Sequence, residues 1–214
     1  RVIADGSALH VVVNAKDPDP KKIVGYLTRR DEDSQSDWIH LFIDSYHDRR
    51  TGYQFAVNAV GVKRDAYWYN DDNNDDSWDA VWDVKVDRTE TGWKAEFRIP
   101  YSQLRFSDGS KGDIGFAVLR YVPRINETSS WPLIARSKNG LISQLGNLDG
   151  IRPSGTAKRL ELAPYTVATA VTQPAQAGNP LLKTFNPNMS AGVDLKYAVT
   201  PALPLTATVN PDFS

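Results

Sequence analysis

The stretch Trp93-Lys94-Ala95-Glu96-Phe97-Arg98-Ile99 alternates apolar and charged side chains without interruption. Because successive side chains of a β-strand point to opposite faces, the apolar residues share one face and the charged residues share the other. This pattern predicts a strand that lies on a hydrophobic core and exposes its second face to solvent. We expect Trp93 to be part of that core.

Comparable strand patterns recur on either side, and turn-forming sequences such as Asp-Pro-Asp-Pro at 17–20 separate them. The segment Trp38–Asp44 is largely apolar on both faces, which is typical of a strand in the centre of a sheet. No segment shows convincing helical periodicity over about 12 residues. The number and spacing of these short strands predict an all-β fold, an antiparallel β-sandwich. The remaining predicted strands of this region are Leu9–Ala15, Tyr53–Val60 and Ile114–Val122.

The composition excludes several classes of function. The 214 residues carry a formal net charge of −1, whereas nucleic-acid-binding domains present a strongly basic surface. The absence of cysteine excludes disulfides, thiol catalysis and cysteine-ligated zinc. The motifs of serine hydrolases, zinc proteases and phosphate-binding loops do not occur. The three histidines are scattered along the chain, so we identify no catalytic constellation.

A change in composition after residue 150 indicates a second region. We predict one domain over 1–150, a linker at 151–157, and a further β-structured region at 158–214. In this last region, Met189–Val199 and 203–209 alternate apolar residues with small or polar ones. Strands of about 9–11 residues with one apolar face fit an outer-membrane β-barrel. A soluble hairpin packed on the sandwich is the alternative, because the pattern of each segment is weak.

The segment Ser77–Trp82, Ser-Trp-Asp-Ala-Val-Trp, places two indoles four residues apart, directly after an acidic run. Indole faces stack on the C–H faces of a pyranose, and neighbouring carboxylates and amides bind its hydroxyls. The segment therefore fits a sugar-binding surface. A buried pair of tryptophans gives the same pattern in one dimension, and both interpretations stay open for Trp82. Trp68, Trp78 and Trp131 lie near polar loops, and we expect them to be more exposed.

The acidic run at 71–76 contains Asp71, Asn73 and Asp75 at the spacing that opens many calcium loops. A helix–loop–helix calcium site is excluded, because the glycine at the sixth position and the glutamate at the twelfth are missing. Two interpretations remain: a looser calcium site formed by these three residues, or a solvated acidic loop.

Several short motifs follow one another in an order that resembles a known family. They are Asp17–Pro20, Thr28–Asp31, Asp48–Thr51, Tyr53–Asn58, Ser77–Trp82, Gly92–Pro100, Trp131–Pro132, Arg159–Tyr165, Gly192–Tyr197 and Asn210–Ser214. Together they resemble a large family of bacterial outer-membrane proteins, in which the N-terminal region is similar to the family 9 carbohydrate-binding modules and the rest resembles a β-barrel. The resemblance implies a jelly-roll-like sandwich followed by the first strands of the barrel. It also implies further strands before Arg1 and after Ser214, and calcium as a frequent component.

These observations lead to one main functional hypothesis and two rivals. We expect a non-catalytic β-sandwich that binds oligo- or polysaccharides at the bacterial outer membrane, to which the barrel attaches it, on either the periplasmic or the outer side. The first rival is a plug or gating module of a barrel involved in transport or secretion, and the second is a glycoside-acting enzyme. The predicted stacking rings are Trp68, Trp78 and Trp82, and the predicted hydroxyl partners are Arg30, Asp37, Asn58 and Asp79.

Overall fold

The computed structural model describes residues 1–106, 112–151, 160–174, 184–200 and 203–210. The chain divides into two compact units, Arg1–Ala157 and Lys158–Ser214. No helix among the described residues is long and apolar enough to cross a membrane.

The first unit contains two antiparallel sheets. The smaller sheet has four strands in the order β1 (Val2–Ala4), β2 (Ala8–Lys16), β8 (Gly92–Pro100) and β7 (Asp83–Thr89). The larger sheet has seven strands, six of them in the order β10 (Glu127–Trp131), β9 (Ile114–Val122), β3 (Trp38–Asp44), β4 (Gly52–Asn58), β5 (Lys63–Tyr69) and β6 (Asn73–Asp75), while β11 (Gly146–Leu148) also pairs with β9. Short 3-10 turns occur at Pro20–Lys22, Tyr101–Gln103, Pro123–Ile125 and Ile142–Gln144.

The inner faces of the two sheets pack together and form one hydrophobic core. Trp93 and Phe97 on β8 are buried in it beside residues of β3 and β4 such as Leu41 and Phe55. The fold predicted from the sequence, an antiparallel β-sandwich, is therefore confirmed. Burying each large side chain of this kind stabilises the fold by roughly 2–3 kcal/mol.

The outer face of the larger sheet is also partly covered, which explains why Trp38–Asp44 is apolar on both sides. β3 lies between β9 and β4, as expected for a central strand. On its outer face, Phe42 packs with Ile142 and Leu145 of the loop that leads into β11. Trp38 packs at the other end of the same face with Val62.

The second unit is a three-stranded antiparallel sheet of β12 (Leu160–Thr172), β13 (Phe185–Thr200) and β14 (Leu203–Val209). Its register places Leu162 opposite Leu195 and Leu195 opposite Ala207, so most of the large apolar side chains of the three strands lie on one face, while Tyr165, Val167 and Val171 lie on the other. The other face carries polar residues such as Asn186, Asn188 and Asp194. We call the first of these the apolar face; its large side chains are Leu160, Leu162, Phe185, Met189, Leu195, Tyr197, Leu205 and Val209.

Candidate functional site

The structure places Trp82 in the core of the sandwich, where its side chain is 2% exposed. Phe97 stacks on the indole at 5.8 Å between ring centroids, and Phe55 meets it edge-on at 5.4 Å. The Lys63 ammonium also lies over the ring, 5.2 Å from its centroid. A sugar needs an open ring face, so this burial removes Trp82 from the rings that can stack on a ligand in this conformation. Of the two interpretations left open for Trp82, the buried one describes the structure.

The burial of Trp82 follows from contacts made by distant residues with the segment before it. The Asp65 carboxylate accepts a hydrogen bond from Ala80 N at 2.5 Å, and Arg30 donates to Ala80 O at 2.8 Å. Gln103 Oε1 accepts from Val81 N at 2.9 Å. These contacts hold the segment against the sandwich, so the acidic sequence beside Trp82 does not place its ring in solvent. Trp78 remains partly exposed, with Tyr53 as a neighbour at 5.0 Å between ring centroids.

Asp37 and Asn58, predicted as hydroxyl partners, are both buried and hold backbone groups. Asp37 Oδ2 accepts from Val24 N at 2.8 Å, and burial raises the pKa of Asp37. Asn58 Oδ1 accepts from Val62 N at 2.9 Å, while its amide donates to Tyr26 O at 2.9 Å. Burial keeps both side chains away from solvent, so they support the fold rather than face a ligand in this conformation.

Arg30 and Asp79, the other two predicted partners, do come together. Arg30 Nη2 lies 2.7 Å from Asp65 Oδ2 and 3.4 Å from Asp79 Oδ1. Asp65 is buried, whereas the Arg30 and Asp79 side chains are 35% and 73% exposed. Carboxylate oxygens of Asp31, Asp65 and Asp79 lie within 4.8 Å of one another, a spacing that a metal ion could bridge. Burial, with the negative charges of Asp65 and Asp79 added, raises the pKa of Asp31. Arg30 already supplies positive charge to this group.

The residues predicted to bind calcium are engaged in local contacts. Asp71 Oδ1 accepts from Ser143 N at 2.7 Å, and Asp71 Oδ2 accepts from Ser143 Oγ at 2.8 Å. Asp75 accepts from Ser77 N at 3.0 Å and from Ser77 Oγ at 2.6 Å. Asn73 lies on β6 opposite Tyr69. Among the described residues, the carboxylates close enough to share an ion are instead those around Arg30. Calcium at Asp71, Asn73 and Asp75 stays a prediction.

Trp68 occupies the outer face of the larger sheet and is partly exposed. Its indole Nε1 donates to Gln54 Oε1 at 2.9 Å, and Gln54 Nε2 lies 3.0 Å from His40 Nδ1. Phe42 meets the indole edge-on at 5.5 Å between ring centroids. We call Trp68, Gln54 and His40 the outer-face array. It joins strands β5, β4 and β3 by hydrogen bonds between side chains.

His40 stays neutral at physiological pH, because its surroundings penalise the charged form. Burial lowers the pKa of His40 to about 4, and the positive charge of Arg64 acts in the same direction. The negative charge of Asp33 raises the pKa of His40, but its effect is smaller than those of burial and Arg64. Arg64 and Asp33 form an ion pair at 3.0 Å. His40 nevertheless keeps partial contact with solvent.

The outer-face array therefore combines an aromatic ring with neutral hydrogen-bonding groups on a sheet surface. Tyr121 and Leu119 of β9 are partly exposed on the same face, as the register of β9 with β3 shows. Sequence reasoning identified Trp68 but missed His40. Alternation along Trp38–Asp44 already places His40 opposite the core-facing residues, but the pairing of β3, β4 and β5 that brings it to Gln54 is not visible in one dimension.

The solved structures that are similar to this chain include two of a family 9 carbohydrate-binding module from Caldicellulosiruptor kristjanssonii, one in complex with cellotriose and one in complex with glucose. The first has a TM-score of 0.41 and 16% identity, covering 69% of this chain and 71% of that chain. The second has a TM-score of 0.42 and 16% identity, covering 70% of this chain and 73% of that chain. No protein-family model and no curated protein matches the sequence.

Proposed function

We propose that the sandwich unit is a non-catalytic carbohydrate-binding domain and that the outer-face array is its binding site. The observation that carries this proposal is the partly exposed Trp68 ring, held by Gln54 beside a neutral His40. A saccharide has apolar C–H faces and a rim of hydroxyls, and it needs both kinds of contact at once. The array offers an indole for the first and an imidazole for the second.

The proposed affinity is weak. A ring–sugar contact is comparable to other aromatic contacts, about 1 kcal/mol beyond the area it buries. One ring with one or two hydrogen bonds of about 1 kcal/mol each supplies about 2–3 kcal/mol besides the area that the ring buries, so we expect a dissociation constant in the millimolar range. A second location at which a sugar could bind is formed by Arg30 and Asp79. The partly exposed Trp78 directly precedes Asp79 in the sequence.

The test is a titration of the chain with a panel of oligosaccharides, observed by calorimetry and tryptophan fluorescence. Trp68→Ala is expected to weaken binding at least about tenfold, the effect of about 1.4 kcal/mol. Trp131→Ala is the matched control, because Trp131 is 58% exposed but lies on the other side of the larger sheet. Trp78→Ala reports on the second location. Binding that is absent from the whole panel, or that Trp68→Ala leaves unchanged, would contradict the proposed site.

We further propose that the second unit is the beginning of an outer-membrane barrel, which places the sandwich at the bacterial envelope. The supporting observation is the apolar face, on which side chains such as Met189 are strongly exposed within this unit. A lipid-facing strand needs apolar residues at most alternate positions, and the register aligns such residues across the three strands, with Thr166 and Thr172 of β12 as exceptions. A soluble sheet with this face needs a protein partner instead.

The envelope proposal is tested in cells that produce the native protein. Met189→Asp puts a charge on the apolar face and is expected to reduce the amount recovered in the outer-membrane fraction, since a charge on a lipid-facing position costs up to about 2–4 kcal/mol. Asn188→Asp changes the opposite face of the same strand and should have little effect. Equal recovery of both variants would refute a lipid-facing role for Met189.

The rival proposal of a plug or gating module is supported by the burial of Trp38, Trp82 and Trp93. It predicts that the domain's surface serves contacts with a barrel wall and that sugars have no effect. The same saccharide titration separates the two, because a plug leaves both the calorimetric and the fluorescence signals flat.

A further inference from the structure

The outer-face array begins at the Trp68 indole, which carries a hydrogen-bond donor and no acceptor. The indole N–H of Trp68 can only donate, and it lies 2.9 Å from one end of the Gln54 amide. That end must therefore be the amide oxygen, since an amide NH₂ would face the indole donor with another donor. Trp68 therefore fixes which end of the Gln54 amide carries the oxygen, although an isolated amide can adopt either orientation.

The fixed amide in turn fixes the histidine. With Oε1 turned to Trp68, Gln54 presents its NH₂ group to His40 Nδ1 at 3.0 Å. An NH₂ group only donates, so Nδ1 must be the unprotonated nitrogen that accepts. A neutral imidazole carries one proton, which must then lie on Nε2.

We infer that His40 Nε2–H is the specificity-determining donor of the outer-face array, and that the array selects saccharides that present an oxygen acceptor to it while rejecting protonated amino saccharides. The inference rests on the proposed function for its ligand class, but the tautomer follows from the side-chain geometry alone. An ammonium group carries only hydrogen-bond donors, so it cannot accept a hydrogen bond from His40 Nε2–H. A hydroxyl, ether or ring oxygen accepts.

The charges around His40 reinforce this selection. Arg64 is the cation that acts on His40, and its ion pair with Asp33 at 3.0 Å only partly balances it. Arg64 also lies over the Trp38 ring, 5.9 Å from its centroid, which keeps the guanidinium on this face of the sheet. A ligand that carries an ammonium group would be repelled by Arg64, and this repulsion is stronger in a partly desolvated site than in water.

The first experiment tests the tautomer in the ligand-free protein. Long-range proton–nitrogen correlation NMR above neutral pH distinguishes the protonated ring nitrogen, and a His40→Gln spectrum assigns the His40 signals among the three histidines. The wild-type chain should show the Nε2–H form. Gln54→Glu places an acceptor-only carboxylate opposite Nδ1 and should move the proton to Nδ1 or charge the ring. Trp131→Phe, outside the array, should leave the signals unchanged. An Nδ1–H form in the wild-type chain overturns the inference.

The second experiment tests the ligand class with neutral oligosaccharides and with chitosan oligosaccharides, whose amines are protonated. The wild-type chain should bind the neutral series and bind the amino series at least about tenfold more weakly. Gln54→Glu should reduce or reverse that preference. Equal binding of both series by the wild-type chain overturns the selection. If no saccharide of either series binds while the Nε2–H form is observed, the proposed function and the ligand class fail together, and the tautomer stands.

Discussion

Acidification should destabilise the sandwich through His40, and the size of the effect follows from its environment. In the folded chain, burial lowers the pKa of His40 from 6.5 to about 4. Above pH 6.5 the His40 ring is neutral in both the folded and the unfolded chain, so it does not affect how the free energy of unfolding depends on pH. Between 6.5 and about 4 the unfolded chain binds a proton that the folded chain refuses, so the free energy of unfolding falls as the pH falls.

The magnitude is bounded by the two pKa values. Their difference, at about 1.4 kcal/mol for each unit of pKa, gives at most about 3 kcal/mol. We expect about 2 kcal/mol, because the ring keeps some contact with solvent and solvent reduces the penalty. Below about pH 4 the loss is complete and stays constant.

The assay compares urea unfolding of the wild-type chain with that of His40→Gln between about pH 7 and pH 4.5. All six tryptophans lie before residue 132, so their fluorescence reports on the sandwich unit alone. Burial raises the pKa of Asp31, Asp37 and Asp44, so the protonation of these carboxylates increases the free energy of unfolding as the pH falls. These carboxylates are present in both proteins, so their effect cancels in the difference.

The expected result is that the free-energy difference between wild type and variant shifts by about 2 kcal/mol in favour of the variant as the pH falls. Parallel pH profiles would refute the reasoning, because they would mean that His40 takes up its proton equally in the folded and unfolded chains.

Three further outcomes are expected. Asp65→Asn should lower the free energy of unfolding by about 3 kcal/mol by urea titration, because it breaks a buried partner of Arg30, whereas the exposed Asp79→Asn should cost under about 0.5 kcal/mol. Phe97→Ala should cost about 3–5 kcal/mol in the same assay, and a smaller loss would mean that the core relaxes into the cavity. Trp131→Phe should remove the fraction of fluorescence most accessible to acrylamide, since Trp131 is the most exposed tryptophan, and unchanged quenching would contradict that exposure.

The sequence was sufficient for the sandwich, because its strands bury alternating side chains and alternation is a local property. Trp93 and Phe97 illustrate this: their shared face is readable from the sequence, and both are buried. The predicted central position of Trp38–Asp44 is likewise confirmed by its place between β9 and β4.

The site was less accessible from the sequence, because it depends on which strands pair and in which register. Trp82 follows an acidic run that suggests exposure, but Asp65 and Arg30 bind the neighbouring backbone from elsewhere in the chain. Gln54 and His40 likewise acquire their roles only when β3 and β4 pair. Long-range contacts of this kind leave no signal in composition or spacing.

Asp71 couples two parts of the sandwich that the sequence separates widely. Its backbone oxygen accepts from Leu141 N and Ile142 N at 3.2 Å, in addition to the contacts of its carboxylate with Ser143. Gly140 has a φ of +83°, a backbone conformation that favours glycine, and a side chain at this position would displace the Asp71 carboxylate. Ile142 rests on Phe42, the neighbour of Trp68. Substitutions at Asp71 or Gly140 are therefore expected to shift Phe42 and the Trp68 ring, and with them the saccharide affinity that we propose for the array, although they change no residue of the array.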